Sequence, residues 1–167
     1  MKKIFTSLFD DYIVEGDTIT AEHNGFTLTA TIYRDDISQK TPEDDCGFWP
    51  SLDPNDPGYI GPKSPTTLKR HMAQAKLVLD AWKNDEWFYC GVDVTVSRNG
   101  IQLTDRYQHA LWGVDCNYPQ WGGRRRNGYL TEVANELAEE AIADAWKRVD
   151  ALLKVASQFE RTAIRRN

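Results

Sequence analysis

The sequence lacks the short motifs by which catalytic and cofactor-binding chains announce themselves. It has no G-x-S-x-G nucleophile turn, no P-loop and no G-x-G-x-x-G fingerprint. The three cysteines, Cys46, Cys90 and Cys116, are isolated, with no C-x-x-C pair. The three histidines, His23, His71 and His109, are expected on a turn, a helix and a strand, which gives no metal-ligand spacing. Asp53–Gly58 (DPNDPG) resembles a calcium loop, but Pro57 stands at the third ligand position and Ser64 at the twelfth. No cofactor and no metal are therefore expected, and the chain reads as no enzyme. No apolar run approaches membrane-spanning length. The first residues lack the continuous apolar core of a secretory signal. An odd cysteine count without such a signal fits reduced thiols, so a soluble cytoplasmic protein is expected.

Charge and proline are unevenly distributed. The net charge of −5 argues against general nucleic-acid binding, and no direct sequence-specific DNA binding is expected. Residues 1–60 carry a net −8 and residues 61–167 a net +3. Six of the seven prolines lie between Pro42 and Pro65. Regular structure cannot persist through that density. Yet Phe48, Trp49, Tyr59 and Ile60 are too apolar for a solvated tail. Arg34–Pro65 is expected to be an ordered acidic flap.

A chain of 167 residues with 41% hydrophobic content reads as a single domain. Two β-rich hairpins stand out, each turned by Asn-Gly, the dipeptide that best suits a type I′ turn. In Thr18–Tyr33 the turn Asn24-Gly25 pairs Ala21 with Leu28 and Ile19 with Ala30 on an apolar face. Thr20 then meets Thr29, and Thr18 meets Thr31, on a polar one. In Glu86–Gly113 the turn Asn99-Gly100 sets Val96 opposite Leu103, Val92 opposite Tyr107 and Phe88 opposite Leu111. That register also puts Asp105 opposite Val94, a conflict that a β-bulge near Thr104–Tyr107 would relieve.

Met1–Asp17, with Phe5, Leu8, Phe9 and Tyr12, reads as a short amphipathic helix ending at Gly16. A helix is expected over Pro65–Lys83, capped by Ser64, with Leu68, Met72, Ala75, Leu79 and Trp82 on its buried face. A second, long helix is expected over Tyr129–Phe159, capped by Asn127 or Thr131. Its stripe comprises Leu130, Val133, Leu137, Ala141, Val149, Leu152 and Ala156. At 1.5 Å per residue it spans about 45 Å, long enough for its C-terminal half to pack on the N-terminal segment or on a second copy of the chain. The class is α+β, in the order ββ–loop–α–ββ–loop–α: a four-stranded antiparallel sheet with both helices on one face.

Two loops collect the candidate site residues. In the acidic flap, Asp35, Asp36, Glu43, Asp44, Asp45, Asp53 and Asp56 surround Phe48, Trp49 and Tyr59. Carboxylates around aromatic anchors suit a protein-binding surface. In the loop Val114–Gly128, Trp121 precedes Arg124, Arg125 and Arg126 at a helix N-terminus. With the amide of Tyr129 they could hold an anion such as a nucleotide.

Glu86–Leu103 (EWFYCGVDVTVSRNGIQL) with Ala110–Asp115 (ALWGVD), and Tyr129–Ile142 (YLTEVANELAEEAI), resemble small proteins encoded by tailed bacteriophages and prophages. The chain departs from that pattern in a longer Thr104–His109. The resemblance transfers no catalytic residue. It implies a host-cell setting and a non-enzymatic protein that binds and inhibits a host factor, such as a CRISPR–Cas defence complex. Sequestration of a nucleotide signal at Trp121–Tyr129 is the alternative, and self-association through the long helix a further one.

Overall fold

The computed structural model describes residues 3–36, 55, 64–119 and 127–164. Both Asn-Gly turns form with two left-handed residues each. Asn24 and Gly25 have φ of 52° and 77°, and Asn99 and Gly100 have 52° and 78°, the signature of type I′. The first turn joins β1 (Thr18–His23) to β2 (Phe26–Arg34), paired in the register read from the sequence. β2 pairs antiparallel with β3 (Phe88–Arg98), which is the centre of the sheet.

The other side of β3 is shared by two strands. β4 (Ile101–Gln102) follows the turn, with Leu103 N donating to the Val96 carbonyl as expected. Thr104–His109 then leaves the sheet, and β5 (Ala110–Cys116) rejoins β3. This makes five strands, not four. It also corrects the register beyond the turn. Val92 pairs with Leu111 rather than Tyr107, and Phe88 with Cys116 rather than Leu111. The conflict of Asp105 with Val94 is solved by looping the segment out. The bulge falls later, at Trp112-Gly113, where two residues of β5 face Gly91 alone and Gly113 has φ 73°.

Alternation along β3 sends Phe88, Cys90, Val92, Val94 and Val96 to one face, all buried. α2 (Gly128–Ile164) covers that face. Its buried apolar side chains are Leu130 and then four alanines, Ala134, Ala138, Ala141 and Ala145. Small residues let the helix axis approach the sheet closely. The larger stripe residues Val133, Leu137 and Val149 pack at its margin. Cys90 and Cys116 are free thiols in this core. A hydrogen bond to Cys116, followed by burial, pushes the Cys90 thiol up, as for an inert buried cysteine.

α1 (Pro65–Lys83) has the expected bounds and carries Pro at its start. The Ser64 side chain does not cap a backbone N–H; its Oγ lies 2.6 Å from Thr67 Oγ1. The helix closes with Asp85 N donating to Trp82 O and Glu86 N to Ala81 O, with Asp85 left-handed at φ 56°. That is a Schellman closure with Asp in glycine's usual place. Asp85 is thereby aimed at Arg34, which donates to it from Nη1 and Nη2. Val78 and Ala81 join Trp87, Trp82, Tyr89 and Tyr118 in a second cluster. Trp87 Nε1 donates to the Val78 carbonyl at 2.9 Å. α1 therefore builds a core of its own instead of sharing the face under α2. Met72 is exposed.

The N-terminal segment is not a helix. Phe5, Phe9 and Ile13 are buried at a spacing of four, but residues 3–17 run as an irregular strap along α2. Buried polar side chains take the place of a helix's own hydrogen bonds. Asn135 Oδ1 accepts from Ile4 N and Phe5 N, and its Nδ2 donates to Phe5 O. Thr131 Oγ1 accepts from Phe9 N. Asn117 Oδ1 accepts from Ile13 N while Nδ2 returns to Ile13 O. Asn127 Nδ2 donates to the carbonyls of Asp10 and Asp11. Asn127 and Thr131 were expected as helix caps; their side chains hold the strap instead.

Two outcomes test this packing. A Cβ built on Gly91 would lie within 2.7 Å of three ring atoms of Trp112. Gly91→Ala should cost about 1–3 kcal/mol in urea denaturation, and much less in a Trp112→Ala background. Asn135→Ala strips the partners from Ile4, Phe5 and the Phe5 carbonyl, and should cost about 1–3 kcal/mol. Amide exchange should accelerate in the strap before it does in β3.

Candidate functional site

The face of the sheet away from α2 is polar over most of its length. Thr29 and Thr31 of β2 meet Thr95 and Asp93 of β3. Near the start of β3 the surface turns aromatic. Tyr33 is opposite Gly91, and the absent side chain of Gly91 leaves room for the Trp112 ring. Tyr107 stands between them, its ring 5.0 Å from Tyr33 and 5.7 Å from Trp112 by centroids. The Arg106 guanidinium lies over Tyr33 and Tyr107 at 5.7 and 5.9 Å. Tyr107 and Trp112 remain 49% and 43% exposed, so the cluster is ordered yet open.

The loop carrying Arg106 and Tyr107 is fixed from below. Tyr107 has φ 66°, and its N–H donates to Asp93 Oδ1 at 3.2 Å. Asp93 is buried, and its Oδ2 has no hydrogen-bond partner among the described residues. Burial raises its carboxyl above the usual carboxylate range, against the pull of the Tyr107 amide, His109 and Arg106. His109, also buried, places Nε2 3.5 Å from Asp144 Oδ2 on α2. Lys147, through its hydrogen bond and charge, holds the Asp144 carboxyl below the ordinary range.

Beside the aromatic cluster lies a cleft lined by Tyr89, Leu111, Trp112, Asp115, Tyr129 and Val133. The Tyr129 hydroxyl donates to the Asp115 carbonyl, which plugs part of the free edge of β5. Desolvation raises the Asp115 carboxyl and pushes Tyr89 up to about 12, with the Asp115 charge adding to the latter. Desolvation also raises Tyr118 and Tyr129. An acid among aromatic rings is suited to receiving a cationic side chain.

The two loops singled out in the sequence have neighbouring roots. β2 ends at Arg34 opposite Cys90, and β5 ends at Cys116 opposite Phe88, so the roots flank the first turnings of β3 on its two sides. Asp35 bridges them, with Oδ2 accepting from Gly113 N at 2.9 Å. The second loop is pinched by Asn117 N donating to Asn127 Oδ1 at 2.8 Å, and Gln74 of α1 donates to the Pro119 carbonyl.

Of the expected site residues, Asp35 is buried and structural, and Asp36 is exposed beside Arg34. Tyr129 turns its hydroxyl onto β5. Glu43, Asp44, Asp45, Phe48, Trp49, Asp53, Asp56 and Tyr59, and Trp121, Arg124, Arg125 and Arg126, lie outside the described residues. Tyr33, Arg106, Tyr107 and Trp112 were missed. Only the Tyr33–Gly91 pairing and the looped-out segment bring them together. Among the described residues no three His, Cys, Asp or Glu side chains converge on a metal-sized site. No described helix is long and apolar enough to cross a membrane. No family model, curated protein or solved structure matches the chain.

A carboxyl raised in the folded state binds its proton more tightly there than in the unfolded chain. Its contribution to stability therefore falls as pH rises from below 3.8, the ordinary value, through the folded value. Asp93→Asn keeps an oxygen for the Tyr107 amide. It should be at least as stable as wild type at pH 7 in urea titrations, and this advantage should vanish below about pH 3.8.

Proposed function

We propose that the protein is a non-enzymatic binding module encoded by a phage or prophage. In this reading it acts in the host cytoplasm by occupying the surface of a host protein, such as a component of a defence complex. The observation that carries the reading is the open aromatic–arginine cluster of Tyr33, Arg106, Tyr107 and Trp112. Tyr, Trp and Arg are the residues that dominate binding energy at protein interfaces. Here they are held in place by Gly91 and Asp93 before any partner arrives, which lowers the entropy cost of association. Asp115 in the adjoining cleft supplies a polar contact for a basic partner residue. The roots of the acidic flap and of the arginine loop flank the start of β3 beside the same cluster.

The partner-free protein should capture a stoichiometric protein from a bacterial host lysate. The double substitution Tyr107→Ala, Trp112→Ala should weaken that capture at least tenfold while the unfolding transition stays cooperative. Asp115→Asn should weaken it less and make it less sensitive to salt. Capture that survives the double substitution would place the contact elsewhere.

A further inference from the structure

α2 outlasts the domain it supports. It is 37 residues long, about 55 Å, and its sheet-covering part ends near Ala145 and Val149. Beyond that point Leu152, Leu153, Val155 and Phe159 are 46%, 63%, 48% and 72% exposed. These residues continue a regular pattern. Ile142, Val149 and Ala156 recur every seven residues, as do Ala145, Leu152 and Phe159, and the two sets alternate by three and four. That is the spacing of a coiled-coil seam. The first half of the seam is filled by the molecule's own sheet. Ala145 is fully buried, Ile142 packs against the core, and next to them Trp146 packs edge-on against Phe26 at 4.8 Å. The second half has no cover among the described residues.

We infer that this distal half of α2 pairs antiparallel with the same segment of a second copy of the chain. Three features select that occupant and that direction. First, one antiparallel register matches large to small along the seam: Leu152 meets Ala156 of the other copy, and Val149 meets Phe159. A parallel pair would set Phe159 on Phe159 and Ala156 on Ala156, crowding one layer and leaving the next empty. Second, that register puts Leu153 beside its own copy on one flank and Val155 beside its own copy on the other. The exposed apolar residues on both margins are then covered by a two-fold axis. Asp150 and Lys154 fall on the outer side, and no like charges meet across the seam. Third, the sheet fills the seam up to Ala145, so a partner helix has room only beyond it. Antiparallel pairing places the two domains at opposite ends, whereas parallel pairing would drive them into each other. The dimer leaves the Tyr107–Trp112 surface free, so it stands or falls separately from the proposed host contact.

Sedimentation equilibrium of the full chain should show a monomer–dimer equilibrium. Leu152→Glu and Phe159→Glu should each weaken it at least tenfold. Both positions are exposed in the monomer, so helix content and the unfolding midpoint of dilute protein should stay unchanged. Direction is read with spin labels at Lys154 or Lys147 in a Cys46→Ser background. The Lys154 labels should lie level with each other, separated only by the width of the helix pair. The Lys147 labels should be farther apart, offset by about 21 Å along the helix axis. A chain that stays monomeric at all concentrations, a dimer indifferent to both substitutions, or equal separations at the two labels would overturn the inference.

Discussion

The structure depends on the contact between the inner face of β3 and the alanine face of α2. β3 is paired on both sides, and its inner residues Phe88 to Val96 are buried to within a few per cent. A strand so placed needs a cover along its whole length. α2 supplies it because Ala134, Ala138, Ala141 and Ala145 let backbone approach backbone. That closeness also leaves Thr131 and Asn135 near enough to the surface of the core to hold the N-terminal strap. Phe5, Phe9 and Ile13 then fill what the alanines leave open. The strap costs several amides their usual partners, and the buried asparagines offset that loss with two-way hydrogen bonds.

On the opposite face the governing fact is the glycine at 91. Removing one side chain from the centre of the sheet creates a seat for Trp112, and the bulge at Trp112-Gly113 turns the indole into it. Asp93, one alternation along, anchors the looped-out segment through the Tyr107 amide. The aromatic surface is therefore rooted in two positions of the central strand. Its cost is a buried carboxyl with one oxygen unpartnered among the described residues. Stability given up beneath an exposed, ordered surface is the pattern expected where a surface is kept for binding.

Much of the fold was legible because its signals are local. Each Asn-Gly turn fixes two left-handed residues and hence the pairing of its strands, so β1–β2 and the start of β3–β4 could be read directly. α1 could be bounded because Pro65 starts it. The errors share a cause. A spacing of four apolar residues at Phe5, Phe9 and Ile13 fits a helix as well as a strap whose amides are satisfied from outside. Asn127 and Thr131 are good caps in isolation, and nothing nearby in sequence shows that a distant segment claims them. Thr104–His109 was recognised as a conflict, but a bulge and an excursion relieve it equally well on paper.

By itself the sequence determined the α+β class, the order of elements and the turn-defined registers, because these rest on backbone preferences and periodicity over a few residues. Tertiary structure alone decided where the exposed aromatic surface lies. Tyr33, Gly91, Arg106, Tyr107 and Trp112 come from three separate stretches, and only strand pairing brings them within ring-to-ring distance. It likewise decided which half of the α2 stripe is core and which is left bare. The repeat continues unchanged past Val149, and only the extent of the sheet marks where intramolecular cover ends.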